Sequence, residues 1–241
     1  METSETKRLN IGSRQQWLEA RIELLKKEKA HSRARDELTR ARQALPWVKV
    51  EKAYTFEGPD GQVTLGDLFG DKGQLIVQHF MFDPEWDAGC KSCSFMADHM
   101  DPSVVHLAHR DTAFAAVSKA PLAKLVAYKK RMRWSFNWVS SFNNDFNRDF
   151  HVSFTDDELE RSACQYNFRE GVSFPAREAP GISAFAKDDS GNVCHTYSVY
   201  GRGLENVMTA YDLLDMVPKG RDEAGKNMYW LHRKDEYANG S

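Results

Sequence analysis

Two cysteines three positions apart, Cys90 and Cys93, stand in the stretch Gly89-Cys90-Lys91-Ser92-Cys93-Ser94-Phe95. At that spacing on a helix both sulfurs share one face, close enough to join. A thiolate at a helix N-terminus is stabilised by unpaired N–H groups and the dipole, so its pKa falls from about 8.5 toward roughly 7 or below. Cys90, nearest the helix end, is the expected nucleophile, and Cys93, one turn in, the resolving thiol. Lys91 and Ser92 lie between them and Trp86 four residues ahead, as candidate walls of the site. Lys91 favours the thiolate, whereas Asp83, Glu85 and Asp87 oppose it.

The elements around the pair support this placement. Leu75-Ile76-Val77 and His79-Phe80-Met81-Phe82 form an apolar run suited to a buried strand. Asp83-Pro84 and Asp87-Ala88-Gly89 break it, and a helix continues until Asp101-Pro102. Further along, the pattern predicts a helix at 104–108, a strand at 112–118, a helix at 122–133 with a basic face, and a strand at 136–140. Residues 143–152 read as a loop with a short aromatic helix and residues 155–178 as an irregular insertion. Strands at 182–186 and 193–199 flank the turn Asp188-Asp189-Ser190-Gly191, and a helix spans 204–214.

Upstream, Ser13 and Gln16 form a capping box for a helix running from Arg14 to about Leu45. Acidic residues are interleaved with basic ones along it, which argues for a solvated helix with a narrow apolar stripe, packed on the domain or on a partner subunit in a homodimer. The expected organisation is a tail and long helix over 1–45, with 1–13 frayed, a domain over 46–218, and a C-terminal tail packed on the surface over 219–241.

The order is strand, Cys-x-x-Cys helix, strand, helix, strand, antiparallel hairpin and closing helix. That is the order of a thioredoxin-like, three-layer α/β/α sandwich with an N-terminal helical extension. In such a fold a proline before a late strand faces the disulfide as a cis residue, and Pro180 holds that position.

Composition sets outer bounds. The chain has 241 residues, 41% hydrophobic and 28% charged, with a formal net charge of −2. Nothing there suggests a nucleic-acid partner, and no apolar run is long enough to span a membrane. No secretory signal is visible, so the cytoplasm is the expected compartment. Four cysteines are too few for a disulfide scaffold.

Several segments together match one family. They are His79-Phe80-Met81-Phe82, Gly89 to Phe95, Val117 to Leu122, Trp138-Val139-Ser140-Ser141, Pro180-Gly181-Ile182-Ser183, His195-Thr196-Tyr197-Ser198 and Pro218 to Asp222. The chain resembles the bacterial DUF899 family, thioredoxin-like proteins described as dithiol–disulfide oxidoreductases, from Trp17 to Tyr237. The resemblance implies a thioredoxin-like fold with an N-terminal helical extension and a redox pair at Cys90 and Cys93. Read as an exchange pair, those thiols are expected to need no cofactor and no metal, and to act on a disulfide-bearing substrate with a dithiol electron donor. The segment order is also similar to peroxiredoxins, but their Thr three residues before the reactive cysteine is replaced by Asp87.

Three alternatives share the same residues. A peroxidase would oxidise Cys90 to a sulfenic acid resolved by Cys93, assisted by Arg110, Arg131 or Arg202. A metal site would use Cys90, Cys93, His106 and His109, whose spacing is one short of a zinc-finger pattern. A non-catalytic binding protein would keep the pair as a sensor. Cys194 reads as core filler, Cys164 as a candidate third thiol, and His195, Tyr197, Tyr200 and Arg202 as a cluster beside the last strand.

Overall fold

The computed structural model describes residues 11–237; up to residue 10 the expected frayed tail, and beyond 237 the expected C-terminal tail, lie outside them. The chain divides into two compact units, 1–46 and 47–241. In the first, α1 (Arg14–Gln43) starts at the expected capping box, in which Ser13 Oγ accepts from the Gln16 amide and the Gln16 side chain accepts from the Ser13 amide. None of its residues is buried, and Trp17, Leu18, Ile22, Leu24 and Leu25 are exposed.

The second unit is built on an eight-stranded mixed sheet. Its centre is β4 (Gln74–His79), where Leu75 and Val77 have no exposed surface. β4 runs parallel to β5 (Thr112–Ser118) and antiparallel to β9 (Gly181–Lys187), with Val77 opposite both Ala115 and Ser183. β6 (Asn137–Ser140) continues the parallel side, and β10 (Val193–Tyr200) pairs antiparallel with β9. The short strands β1 (Val48–Lys49), β2 (Thr55–Gly58) and β3 (Gly61–Thr64) complete the two edges. The order β5-β4-β9-β10, with β9 alone reversed, is that of a thioredoxin-like fold.

Parallel neighbours need crossovers, and right-handed ones place both helices on one face. α2 (Lys91–Met100) links β4 to β5, through a 3-10 turn and α3 (Val104–Ala108), and α4 (Leu122–Met132) links β5 to β6. α7 (Thr209–Asp215) closes the same layer: its Tyr211 packs with Phe95 and Met96 of α2 and Leu125 and Tyr128 of α4 in one core cluster. The other face is covered more thinly, by the 3-10 turn at Asp67–Phe69 and by α5 (Phe146–Asp149).

Three expectations are corrected. Residues 155–178 are not irregular. Thr155 and Glu158 form a capping box that starts α6 (Asp156–Glu160), and β7 (Cys164–Tyr166) pairs with β8 (Arg169–Val172). The two residues between those strands, Asn167 and Phe168, both have positive φ, 52° and 61°, as a tight two-residue hairpin requires. Second, the closing helix begins as a 3-10 segment, Gly201–Val207, before α7. Third, no peptide bond among the described residues is cis, so Pro180 is trans. Trans is the lower-energy isomer by about 0.5–1 kcal/mol, and Pro180 leads straight into β9 rather than turning tightly. Its carbonyl accepts from the Tyr166 hydroxyl at 2.8 Å.

Candidate functional site

The pair lies where β4 ends and α2 begins. Phe80 still donates to the Val117 carbonyl, after which the chain turns through residues 83–89. Asp83 Oδ1 accepts from the Glu85 amide at 2.8 Å, and Lys124 Nζ donates to the carbonyls of Pro84 (2.7 Å) and Trp86 (2.8 Å). Gly89 is needed on contact grounds: a Cβ there would lie 2.6 Å from the Phe80 ring. Cys90 is then the N-cap of α2 (φ −54°, ψ 136°), with its amide bonded to the Met81 carbonyl.

The two sulfurs differ sharply. Cys90 is half-buried and Cys93 is 1% exposed; both are free thiols. The Cys90 thiol is lowered to about 6, first because the Cys93 thiol donates to its sulfur and next because Ser92 Oγ, at 3.1 Å, does the same; burial opposes both. Burial pushes the Cys93 thiol well up, and the neighbouring Cys90 adds to it. The reduced pair is therefore a thiolate at Cys90 held by a protonated Cys93. Beneath α2, Gln78 Nε2 donates to the Cys93 carbonyl at 3.1 Å. Ser94 Oγ donates to the Cys90 carbonyl and meets the Tyr128 hydroxyl at 2.9 Å.

A cavity of about 280 Å³ opens beside the pair. Ser92, Cys93 and Pro180 line it at the redox end, and Met96, Leu204, Met208, Tyr211 and Met228 form its apolar wall. Arg202, Glu205 and Glu223 line it as well. The other expected wall residues are placed elsewhere. Trp86 packs into the cluster that also receives Cys90, and Lys91 is exposed; neither lines the cavity.

The C-terminal segment contributes more than its sequence suggests. Leu231 is buried, with Met228 and Trp230 packed against the same core. Glu223 Oε1 accepts from Tyr211, the Met228 amide and Trp230. Arg233 donates to the Gly89 carbonyl, from Nη2 at 2.7 Å and Nε at 3.1 Å, and so holds the residue next to the nucleophile. The only sequence signal for this was Met228-Tyr229-Trp230-Leu231 inside an otherwise polar tail.

Two buried polar groups also escaped the sequence reading. Glu178, 3% exposed, is bonded to Ser153 and to Asn147, and burial raises its carboxyl to about 7. His79 stacks against both Phe146 and Phe150, with Nε2 2.8 Å from Ser183 Oγ, and burial lowers it to about 3. From His79 a row of hydrogen bonds passes through Ser183 and Ser198 to His195. His195 and Tyr200 line a second cavity, of about 400 Å³, with Lys52, Tyr54 and Asp149. The cluster expected around the last strand is thus divided, since Arg202 lies at the first cavity.

The metal alternative loses its ligand set. His106 and His109 are exposed at α3, and among the described residues no three His, Cys, Asp or Glu side chains gather around a point that could hold an ion. His99 is committed to the Phe95 carbonyl and the Ala210 amide. Cys164 is buried with no exposed surface and Cys194 is 6% exposed.

A family model, described as bacterial protein of unknown function (DUF899), matches residues 6–237. The chain belongs to the DUF899 family. No curated protein matches it. Among solved structures, it is similar to peroxidoxin BcpB from Mycobacterium tuberculosis, at 11% identity and a TM-score of 0.45, over 69% of this chain and 96% of that one. It is also similar to a cysteine-to-serine mutant of Xanthomonas campestris peroxiredoxin Q, at 12% identity and 0.44, over 66% and 90%. A Chlorobium tepidum protein described as a thiol:disulfide interchange protein, DsbE, aligns at 14% identity and 0.42, over 69% and 98%. The thioredoxin-like fold rests on the strand order above. No helix among the described residues is long and apolar enough to cross a membrane.

Proposed function

We propose that this DUF899 chain is a thiol–disulfide oxidoreductase. The observation that carries the reading is the asymmetry of the pair: Cys90, at the N-cap of α2, is lowered to about 6 by the Cys93 and Ser92 donors, while Cys93 is buried and raised. At pH 7 about nine-tenths of Cys90 is thiolate, one unit above its pKa, and Cys93 keeps its proton until the nucleophile has reacted.

The Cys90 thiolate attacks one sulfur of a substrate disulfide. A Cys90–substrate disulfide forms, the substrate S–S bond breaks, and the first thiolate leaves. Consuming the Cys90 negative charge removes what raised Cys93 alongside burial. Cys93 then gives up its proton to the departing thiolate and attacks Cys90 Sγ, releasing the second substrate thiolate. The protein ends two electrons oxidised as a Cys90–Cys93 disulfide, and an external dithiol reduces it again. The peroxide-reducing alternative calls for a guanidinium at the nucleophile. Arg131 is bonded to Asp235 and Glu236, Arg202 to Glu205, and Arg110 is exposed at the end of α3, while Arg233, beside the pair, is committed to the Gly89 carbonyl and Glu236.

The test is a redox titration of the purified protein in thiol–disulfide buffers, with free thiols counted by mass after alkylation. A single reversible two-electron couple confined to Cys90 and Cys93 supports the reading. Thiols that stay reduced across the range, or that become reactive only after chelation, overturn it.

A further inference from the structure

We infer that the cavity beside the pair selects a small, uncharged disulfide with an apolar substituent, which it holds while Cys90 attacks. This rests on the exchange reading above and assigns its substrate class. At about 280 Å³ the cavity is just smaller than the roughly 300–1,000 Å³ of drug-sized ligand sites. It has room for one compact substituent rather than a folded protein surface.

The lining sets the chemistry of that substituent. Three thioethers, from Met96, Met208 and Met228, meet Leu204 and the Tyr211 ring. Thioether side chains adapt to apolar bodies of varied shape and pack well on sulfur. The charged residues that line the cavity are two carboxylates and one guanidinium. Arg202 pairs with Glu205 at 3.2 Å, Glu205 is held also by Arg221 at 2.8 Å, and Glu223 accepts three hydrogen bonds from the protein. An anionic substrate would meet two carboxylates, Glu205 and Glu223, against one cation, Arg202, whose side chain is 83% exposed and contacts Glu205 through Nε.

The cavity reaches the nucleophile through Ser92. Cys93 lines the cavity and Cys90 does not, while Ser92 lines it with its Oγ 3.1 Å from Cys90 Sγ. When the thiolate attacks R–S–S–R′, it forms Cys90–S–S–R with R seated in the cavity and expels R′–S⁻. Cys93, already at the cavity wall, then attacks Cys90 Sγ and expels R–S⁻, leaving the protein oxidised and the substrate reduced by two electrons.

The experiment compares oxidation of the reduced full chain by dipropyl disulfide and by the dianionic 3,3′-dithiodipropionate. Each rate is divided by the rate of the same disulfide with free 2-mercaptoethanol at the same pH. The expected result is a normalised preference of about tenfold or more for dipropyl disulfide, because the two substituents share two methylenes and differ at the third carbon, a methyl that gains from burial in one and a carboxylate that loses its hydration in the other. Met228→Glu, at a half-buried wall position, removes that preference; the rate of Cys90 alkylation by iodoacetamide in each variant serves as the measure of thiolate. Equal normalised rates, with Met228→Glu without effect, overturn the substrate assignment and leave the exchange reading standing. A protein that neither disulfide oxidises, although iodoacetamide alkylates Cys90, overturns the exchange reading itself.

Discussion

Ser92 Oγ lies 3.1 Å from Cys90 Sγ, two residues along the first turn of α2. A hydroxyl there lowers the thiol by bonding the charged form. Ser92→Ala is expected to raise Cys90 by about one unit, because a hydrogen bond to a charged group is worth about 1.5 kcal/mol or more and one unit is about 1.4 kcal/mol. The midpoint of Cys90 alkylation rate against pH moves up accordingly. An unmoved midpoint would mean that Cys93 and the helix end carry the whole shift.

Arg233 brings the C-terminal segment back onto the active-site loop through the Gly89 carbonyl. Its side chain is 15% exposed, so the carbonyl is left poorly solvated when the guanidinium goes. Arg233→Ala is expected to cost about 1–3 kcal/mol of stability, read as a lower urea midpoint with an unchanged slope. An unchanged midpoint would show that the segment is held by Trp230 and Leu231 alone.

The two buried titrating groups pull stability in opposite directions with pH. Glu178 is raised to about 7 from 4.5. Between those values the folded state holds more protons than the unfolded one, so stability is present below pH 4.5 and is lost as pH rises through 7. His79 is lowered to about 3 from 6.5. There the unfolded state holds more protons, so stability is full above 6.5 and falls as pH drops toward 3. Each slope is about 1.4 kcal/mol per pH unit, and between pH 4.5 and 6.5 they cancel. Glu178→Gln is therefore expected to make stability rise with pH over that window, and His79→Asn to make it fall. Urea unfolding of both variants at a series of pH values checks the signs; two flat profiles would contradict the assignment.

Much of the site was legible because local chemistry dictated it. The capping box at Ser13, the strand at 112–118 and the helix at 104–108 follow from patterns contained within one element. So does the placement of Cys90 at a helix start. What stayed hidden depends on long-range partners. Phe168 in a positive-φ hairpin position carries no turn signature, so β7 and β8 read as irregular. Arg233 and Gly89 are 144 residues apart, and a charged tail gives no sign of where its arginine will land. Glu178 looked like one acid among many until Ser153 and Asn147 closed around it. The cis isomer expected at Pro180 came from an analogy of position, and nothing in the local sequence Ala179-Pro180-Gly181 required it.

The central claim is that Cys90 attacks and Cys93 resolves, and one measurement addresses it directly. Reduced Cys93→Ser protein is mixed with a chromogenic disulfide, and the adduct is located by mass after proteolysis. The account predicts one stoichiometric mixed disulfide on Cys90, stable until a dithiol is added, while wild type passes through that adduct to a Cys90–Cys93 disulfide. An adduct on Cys164 or Cys194, or a Cys90→Ser protein that traps substrate on Cys93 at the wild-type rate, would contradict it.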